Sequence, residues 1–382
     1  MHRPVLAFSA LLGALALFAL LAAPGPATTQ AQPAAGKPAA GNAQAAAMAE
    51  TASAFLATLT PEQRAKVVHR FDDDAVRTGW SNFPPAQSER DGLMVAFLTP
   101  SQRIAFHDML MAAMSSQGYA KSSAIMWLDD ILRNEETGRF VVPDQPPEQG
   151  ATEGQPPPRR SSANYRIVLF GEPGVPRWGW MLTGHHLAAN FTVVDGAVAF
   201  TPLFVGANPQ VVRDGPYAGW RVLGHESARG FALARSLTDQ QRRTAVLSGT
   251  VSDALFTGRG RKDQLKTMAG LPASQLSAGQ QELLWGLVRE FVGSAGDEAA
   301  AAQFRSIERD GLAQLHFAWW GSTEDPTRRF MYRIHGPSIL IEYVREGDGS
   351  RPLNHVHAIV RDPRNDYGED WLGKHYREQP HP

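Results

Sequence analysis

The chain has no cysteine among its 382 residues. That excludes disulfides, thiolate catalysis, thiolate metal ligands and lipid attachment at a cysteine side chain. Stability outside a cytoplasm would then have to come from core packing, helped by a bound metal. A charge imbalance is missing too: 37 basic side chains stand against 38 acidic ones, a formal net charge of -1. Without a broad positive field, nucleic acid and anionic membranes are not expected partners. The short run Arg259, Arg261, Lys262, Lys266 reads as a solvated loop. Beyond residue 23 there is no long apolar run, so no later segment is expected to span a bilayer. The sequence also lacks a G-x-S-x-G elbow, a P-loop, and a G-x-G-x-x-G followed by an acidic residue. His225-Glu226 leads to Arg229 where the second histidine would stand, so the H-E-x-x-H zinc pattern fails.

What is present begins with a small positive start, His2 and Arg3, followed by an apolar run from Val5 to Ala23. This pattern reads as a secretory signal over residues 1–23, and export to the periplasm or medium is the expectation. Residues 24–47 are Ala, Pro, Gly and Gln, too poor in bulky apolar groups to pack, and read as a flexible tether. A single domain is expected over 48–382. The stretch 143–160, PDQPPEQGATEGQPPPRR, reads as a proline-rich insertion in it.

Four capping-box signatures mark helix starts: Thr60, Thr99, Thr238 and Ser277 each stand three residues before a glutamine. The same 39-residue step separates Leu59 from Leu98 and Leu237 from Leu276. That step suggests a duplicated helical unit, although capping boxes also recur in unrelated helices. Periodicity predicts two helices over Thr99–Leu132 broken at Gly118, and further helices over His225–Leu247 and Ala278–Val292. Strands rich in aromatic and β-branched residues are predicted at Tyr165–Phe170, Trp178–Val194, Val198–Phe204, Leu315–Trp320, Phe330–Ile334, Ser338–Val344 and His355–Val360. Asp195-Gly196 is a hairpin signal. The sum is an α+β fold with a mostly antiparallel sheet and helices packed on one side.

The densest chemistry lies in Asn354–Tyr376, NHVHAIVRDPRNDYGEDWLGKHY. On a strand, His355 and His357 leave the same face, which is metal-ligand spacing; the plainer alternative is a pair of structural histidines. Adjacent His185 and His186 must face opposite sides of a regular strand. The smaller, more polar face carries His186, which makes His186 the expected ligand and His185 the expected catalytic neighbour. Glu342 is a lone carboxylate in the apolar SILIEYV, and burial there requires a cation, whether a metal, Arg333 or a protonated histidine. His186, His355, His357 and Glu342 together form a candidate sphere for a divalent Zn, Fe, Cu or Mn ion. Asp362 or Asp366 is the candidate partner for a ligand imidazole's second N–H, with Asp366 and His375 also candidates for catalysis. Asp72, Asp73 and Asp74 read as a solvated turn, since consecutive carboxylates cannot all face one ion. Trp80, Phe83 and Arg90 read either as a pocket lip or as a loop packed on the core.

Several blocks, GWMLTGHHLAANFT, TPLFVGANP, FAWWG, YRIHGPSILIEY and the His355 segment with its R-D-P-x-N-D-Y-G, resemble those of a bacterial family known as domain of unknown function 3500. The resemblance covers about Thr51 to Tyr376. It implies export, and no role for any individual residue. The leading expectation from the residues is an exported metal-dependent enzyme that activates water or dioxygen. The alternatives are a metal carrier, or a binding protein for a small molecule, sugar or peptide that uses Trp178, Trp180, Trp220, Trp319 and Trp320 as platforms.

Overall fold

Thr60, Thr99, Thr238 and Ser277 each accept a hydrogen bond from the backbone N–H of the glutamine three residues on, and that glutamine's side chain closes the box on the cap N–H. The local signals thus fix four helix starts before any tertiary contact is considered. The computed structural model describes residues 40–138, 159–252, 254–346 and 353–378. The signal segment, the tether as far as residue 39 and most of the proline-rich insertion lie outside the described residues.

In chain order the elements are α1 (Ala40–Ala57), α2 (Pro61–Val67), β1 (Val68–His69), α3 (Asp74–Arg77), β2 (Leu93–Met94), α4 (Pro100–Ala113) and α5 (Ser116–Thr137). Strands follow: β3 (Arg166–Phe170), β4 (Arg177–Gly184), β5 (Leu187–Val194), β6 (Ala197–Ala199) and β7 (Leu203–Ala207). Then come α6 (Gly224–Ser236), α7 (Asp239–Ala245), β8 (Leu271–Pro272), α8 (Ala278–Val292) and α9 (Asp297–Asp310). The chain closes with β9 (His316–Gly321), β10 (Phe330–His335), β11 (Leu340–Glu346), β12 (His355–Arg361) and α10 (Glu369–Glu378). The sheet runs β1-β3-β4-β5-β7-β12-β11-β10-β9-β8, with β2 also on β3 and β6 on β5. Of these pairings only β1 with β3 is parallel. The fold is α+β with a mostly antiparallel open sheet.

That strand order is symmetric about the β7–β12 seam, and the register shows an internal duplication. Leu203 pairs with Val360 at the seam. Stepping outward on the two sides, the ladders match Ala189 with Ile341, Leu182 with Ile334, Ile167 with Phe317, and Leu93 with Leu271. Leu93 and Leu271 are 178 residues apart, and so are the box glutamines: Gln63 and Gln241, Gln102 and Gln280. Their side chains interlock identically. Gln102 donates to Gln63 Oε1 at 2.8 Å and to Thr58 O at 2.8 Å, while Gln280 donates to Gln241 Oε1 at 2.8 Å and to Ser236 O at 2.7 Å. Thr58 and Ser236 keep the same offset. The recurring capping boxes are therefore the visible part of a repeat that extends through the sheet.

One face of the sheet carries Trp178, Trp180, Leu182, Phe317, Trp319, Tyr332 and Tyr343 into a core shared with residues of α1, α4, α5, α6, α8 and α9. The other face is closed mainly by non-helical segments, through Trp80, Leu255 and Tyr367 against Met181, Phe204, Trp320 and Ile359. Both faces being dry explains why β4 and β5 are buried almost throughout instead of alternating. Trp80 anchors its loop to the core, its Nε1 donating to Tyr367 Oη at 2.8 Å, so this segment is packed and does not form a pocket lip around that ring. Asp73 caps α3, and Asp72 and Asp74 pair with Arg70 and Arg77, as a solvated turn should.

Several boundaries differ from the sequence reading. Helix α1 starts at Ala40, so residues 40–47 are helical and not tether. The break before α5 falls at Met114–Ser115; Gly118 lies inside α5, where a Cβ would collide with the Ser294 backbone, so its glycine serves a close approach and not a helix break. The helix expected over His225–Leu247 is two, α6 and α7, divided at the Thr238 cap. The strand expected over Trp178–Val194 is a hairpin, β4 and β5, turning at His185–His186. Asp195 and Gly196, both at positive φ, make the next turn as expected.

Candidate metal centre

A turn puts His185 and His186 at one end of the sheet, and the start of β12 puts His355 and His357 beside them. His186 sits at φ 65°, a left-handed conformation costing a non-glycine residue roughly 1–2 kcal/mol. Two backbone bonds hold it there: His186 N–H donates to Asn82 O at 3.1 Å, and Gly206 N–H donates to His186 O at 2.7 Å. Gly206 faces His357 across the β7–β12 ladder. A Cβ at this glycine would lie 2.8 Å from His357 Cδ2 and 3.0 Å from His186 Cδ2, so the missing side chain makes room for both rings.

His355 Nε2 lies 2.8 Å from His186 Nε2 and 3.0 Å from His357 Nε2. Two imidazole nitrogens bound to one ion at about 2.0–2.1 Å are about 2.9 Å apart for right-angle bonds and about 3.3 Å for tetrahedral ones. The observed spacings are within a few tenths of an ångström of those values. His357 Nδ1 stands 2.7 Å from Glu346 Oε1, and because a carboxylate only accepts, Nδ1 carries the hydrogen and Nε2 presents a lone pair inward. Glu346 Oε2 is also 4.0 Å from His355 Nδ1. Burial first, then the charges of neighbouring His185, His355 and His357, hold His186 well below the usual imidazole range. Burial, followed by His357, pushes His355 down to about 2. Neutral rings with converging lone pairs are what a Lewis acid needs, and this group can hold a metal ion.

His185 stands outside that convergence but against it. Its ring lies on His186 with centroids 3.7 Å apart, and its Nδ1 is 2.5 Å from Asp129 Oδ1 on α5. Tyr165 Oη donates to His185 O at 2.6 Å. Arg160 Nη1 is equidistant, at 3.3 Å, from both His185 ring nitrogens. With Nδ1 donating to Asp129, Nε2 is the ring nitrogen able to accept from that guanidinium.

Four expected site residues lie elsewhere. Glu342 shares a face of β11 with Glu346 but is four residues away, about 13 Å at a strand's rise. Its carboxylate accepts from Arg333 Nε at 3.0 Å and Nη2 at 2.8 Å, and from Thr257 N and Oγ1 at 2.8 and 2.6 Å. The cation it required is Arg333, one strand over. Asp366 accepts from Arg361 Nη1 at 2.5 Å and from Asp362 N at 3.0 Å, at the far end of β12 from His355. Asp362 lies at that end too, so the partner of a ligand imidazole is Glu346 instead. His375 Nδ1 is 2.8 Å from Asp195 Oδ2, beyond the opposite end of β5 from His186. The structure adds Glu346, Asp129, Arg160 and Gly206. Glu346 was in reach of sequence reasoning: the strand predicted to end at Val344, run on by two residues, pairs Glu346 with His355.

The comparisons with known proteins bear on this geometry. A sequence model of the family described as "Protein of unknown function (DUF3500)" matches residues 41–369. The chain belongs to that family. The DUF3500 match takes in the histidine turn, the β12 histidines and every element from α1 to β12 save the first residue of α1. Neither the curated proteins nor the solved structures give a match.

Proposed function

We propose that His186, His355 and His357 hold one divalent transition-metal ion, and that the protein is an exported, metal-dependent enzyme acting on a small molecule. The observation that carries this reading is the meeting of three Nε2 atoms while His357 Nδ1 is anchored on Glu346. An imidazole whose other nitrogen is held by a carboxylate is the usual form of a metal-ligating histidine. Three protein ligands leave a coordination position for a reactant, which distinguishes a working centre from a closed structural one. When bound, the ion would supply Lewis acidity to water, dioxygen or a substrate oxygen. His185 is the proton-moving group of this reading, since its Nδ1 is held by Asp129 and its Nε2 is left as acceptor.

With Glu342 engaged by Arg333, the proposed sphere is all imidazole. That composition favours Zn, Cu or Fe over Mn, which prefers oxygen ligands. The sugar-platform alternative loses its main residues, because Trp178, Trp180 and Trp319 are buried in the core. Export rests on the composition of residues 1–23.

Elemental analysis of the purified protein against His357→Ala, with thermal unfolding followed alongside, tests the proposal. About one transition-metal ion per chain is expected in the wild type, from the one three-histidine group found among the described residues, and a large loss in a variant that still unfolds cooperatively. Equal metal content in the two proteins would remove the reading.

A further inference from the structure

The duplication gives the histidine cluster a counterpart position, and something different has been built there. Val344, opposite His357, corresponds to Thr192, opposite Ala199, so Ala199 takes His357's place. The His185–His186 turn corresponds to Pro337–Ser338, between β10 and β11. The N-caps of α5 and α9, Ser115 and Gly296, correspond as well, which sets Asp310 where Asp129 stands in the first half. His335 precedes that turn, but no histidine lines the space beside it. Instead a cavity of about 350 Å³ opens between α9, the β6–β7 link and the segment leading into α10.

Its walls hold three arginines and three carboxyls. Among the described residues only one ion pair joins them, Arg364 to Asp310. Arg305 and Arg309 stand four residues apart on one face of α9, both exposed, and neither reaches a carboxylate of the described residues within ion-pair distance. Asp362 is buried, accepting from the N–H groups of Arg364 and Asn365 and from Gln303, and Asp370 lies at the start of α10. Trp371 adds an aromatic wall.

We propose that this cavity is a second ligand site, for a free α-amino acid. Two guanidinium groups and two carboxyls that form no ion pair among the described residues share one concavity and complement a zwitterion: Arg305 and Arg309 take the carboxylate, Asp362 and Asp370 the ammonium, and Trp371 the side chain. The volume lies at the small end of ligand pockets and suits a molecule of that size. At neutral pH, charges of both signs discriminate against amines and simple acids, each of which would leave one pair unanswered.

The test is thermal shift and titration calorimetry on the full chain, using the common L-amino acids, with phenethylamine and 3-phenylpropionate as single-charge controls for phenylalanine. At least one amino acid should raise the unfolding temperature by several degrees while its single-charge analogues do not. The exposed double variant Arg305→Ala/Arg309→Ala should bind it about tenfold or more weakly, as expected for lost charge-assisted bonds. Its metal content should match the wild type, so a failure here stays separate from a failure of the metal reading. No shift with any amino acid, equal binding by the double variant, or equal binding of the single-charge analogues would each overturn the proposal.

Discussion

At the residue scale, two glutamates on one face of β11 are held by different partners and should respond differently to the same change. Glu346 holds His357, and Glu342 neutralises Arg333 with almost no solvent contact. Glu346→Gln should leave the fold intact and weaken metal binding by about 10–100-fold, read by competition with a chromophoric chelator. Glu342→Gln should keep the metal affinity and lose about 3–5 kcal/mol of stability in a denaturant titration, because it strands a buried guanidinium. Reversed outcomes would mean the two carboxylates have been assigned the wrong way round. The H-x-H spacing made His355 and His357 legible in the sequence, because alternation on a strand is a local property. Glu342 was read correctly as needing a cation, but its neighbour across a ladder is set by register, which no single strand encodes. His186 was favoured for the right polarity and in the wrong geometry: it is a turn residue, and its left-handed φ is invisible without the hairpin.

At the element scale, the capping boxes are the clearest case of local chemistry deciding structure. Thr60→Ala and Thr238→Ala each remove one cap acceptor at corresponding helix starts in the two halves. Each should cost about 1 kcal/mol. The sites lie in separate halves with no shared partner, so the double variant should lose the sum of the two within about 0.5 kcal/mol in chemical denaturation. A large departure from additivity would show that the halves are coupled more tightly than the sheet seam implies. The repeat was only half legible because the capping signals survive in the sequence while the strands that complete it share little beyond β propensity. Leu182 and Ile334, or Ile167 and Phe317, are recognisable as equivalents only through their ladders. Helix α9 went unread for the opposite reason: its first turns, DEAAAAQF, offer few bulky apolar residues to set a period.

At the scale of the whole molecule, the buried acid at the β12 exit links folding to pH. Desolvation raises the Asp362 carboxyl from the usual aspartate value of 3.8 to about 6, despite hydrogen bonds from Arg364, Gln303 and Asn365 that favour its charged form. A raised folded-state pKa means that the folded protein binds the proton more tightly. The associated stability is fully present below about pH 4 and is lost as pH rises through about 6, by up to about 3 kcal/mol. Asp362→Asn keeps an acceptor for the two backbone N–H groups and cannot ionise. Its unfolding temperature relative to wild type should therefore climb between pH 4 and pH 7, and a flat difference across that range would contradict the assignment.

The seam between β7 and β12 is also where the two symmetric halves of the sheet meet edge to edge, and the cluster's histidines are drawn from both of them. His186 comes from the first half, His355 and His357 from the second. Whatever binds all three acts as a rivet across the join, so that occupancy of one small site and the cohesion of the entire sheet become a single thermodynamic quantity.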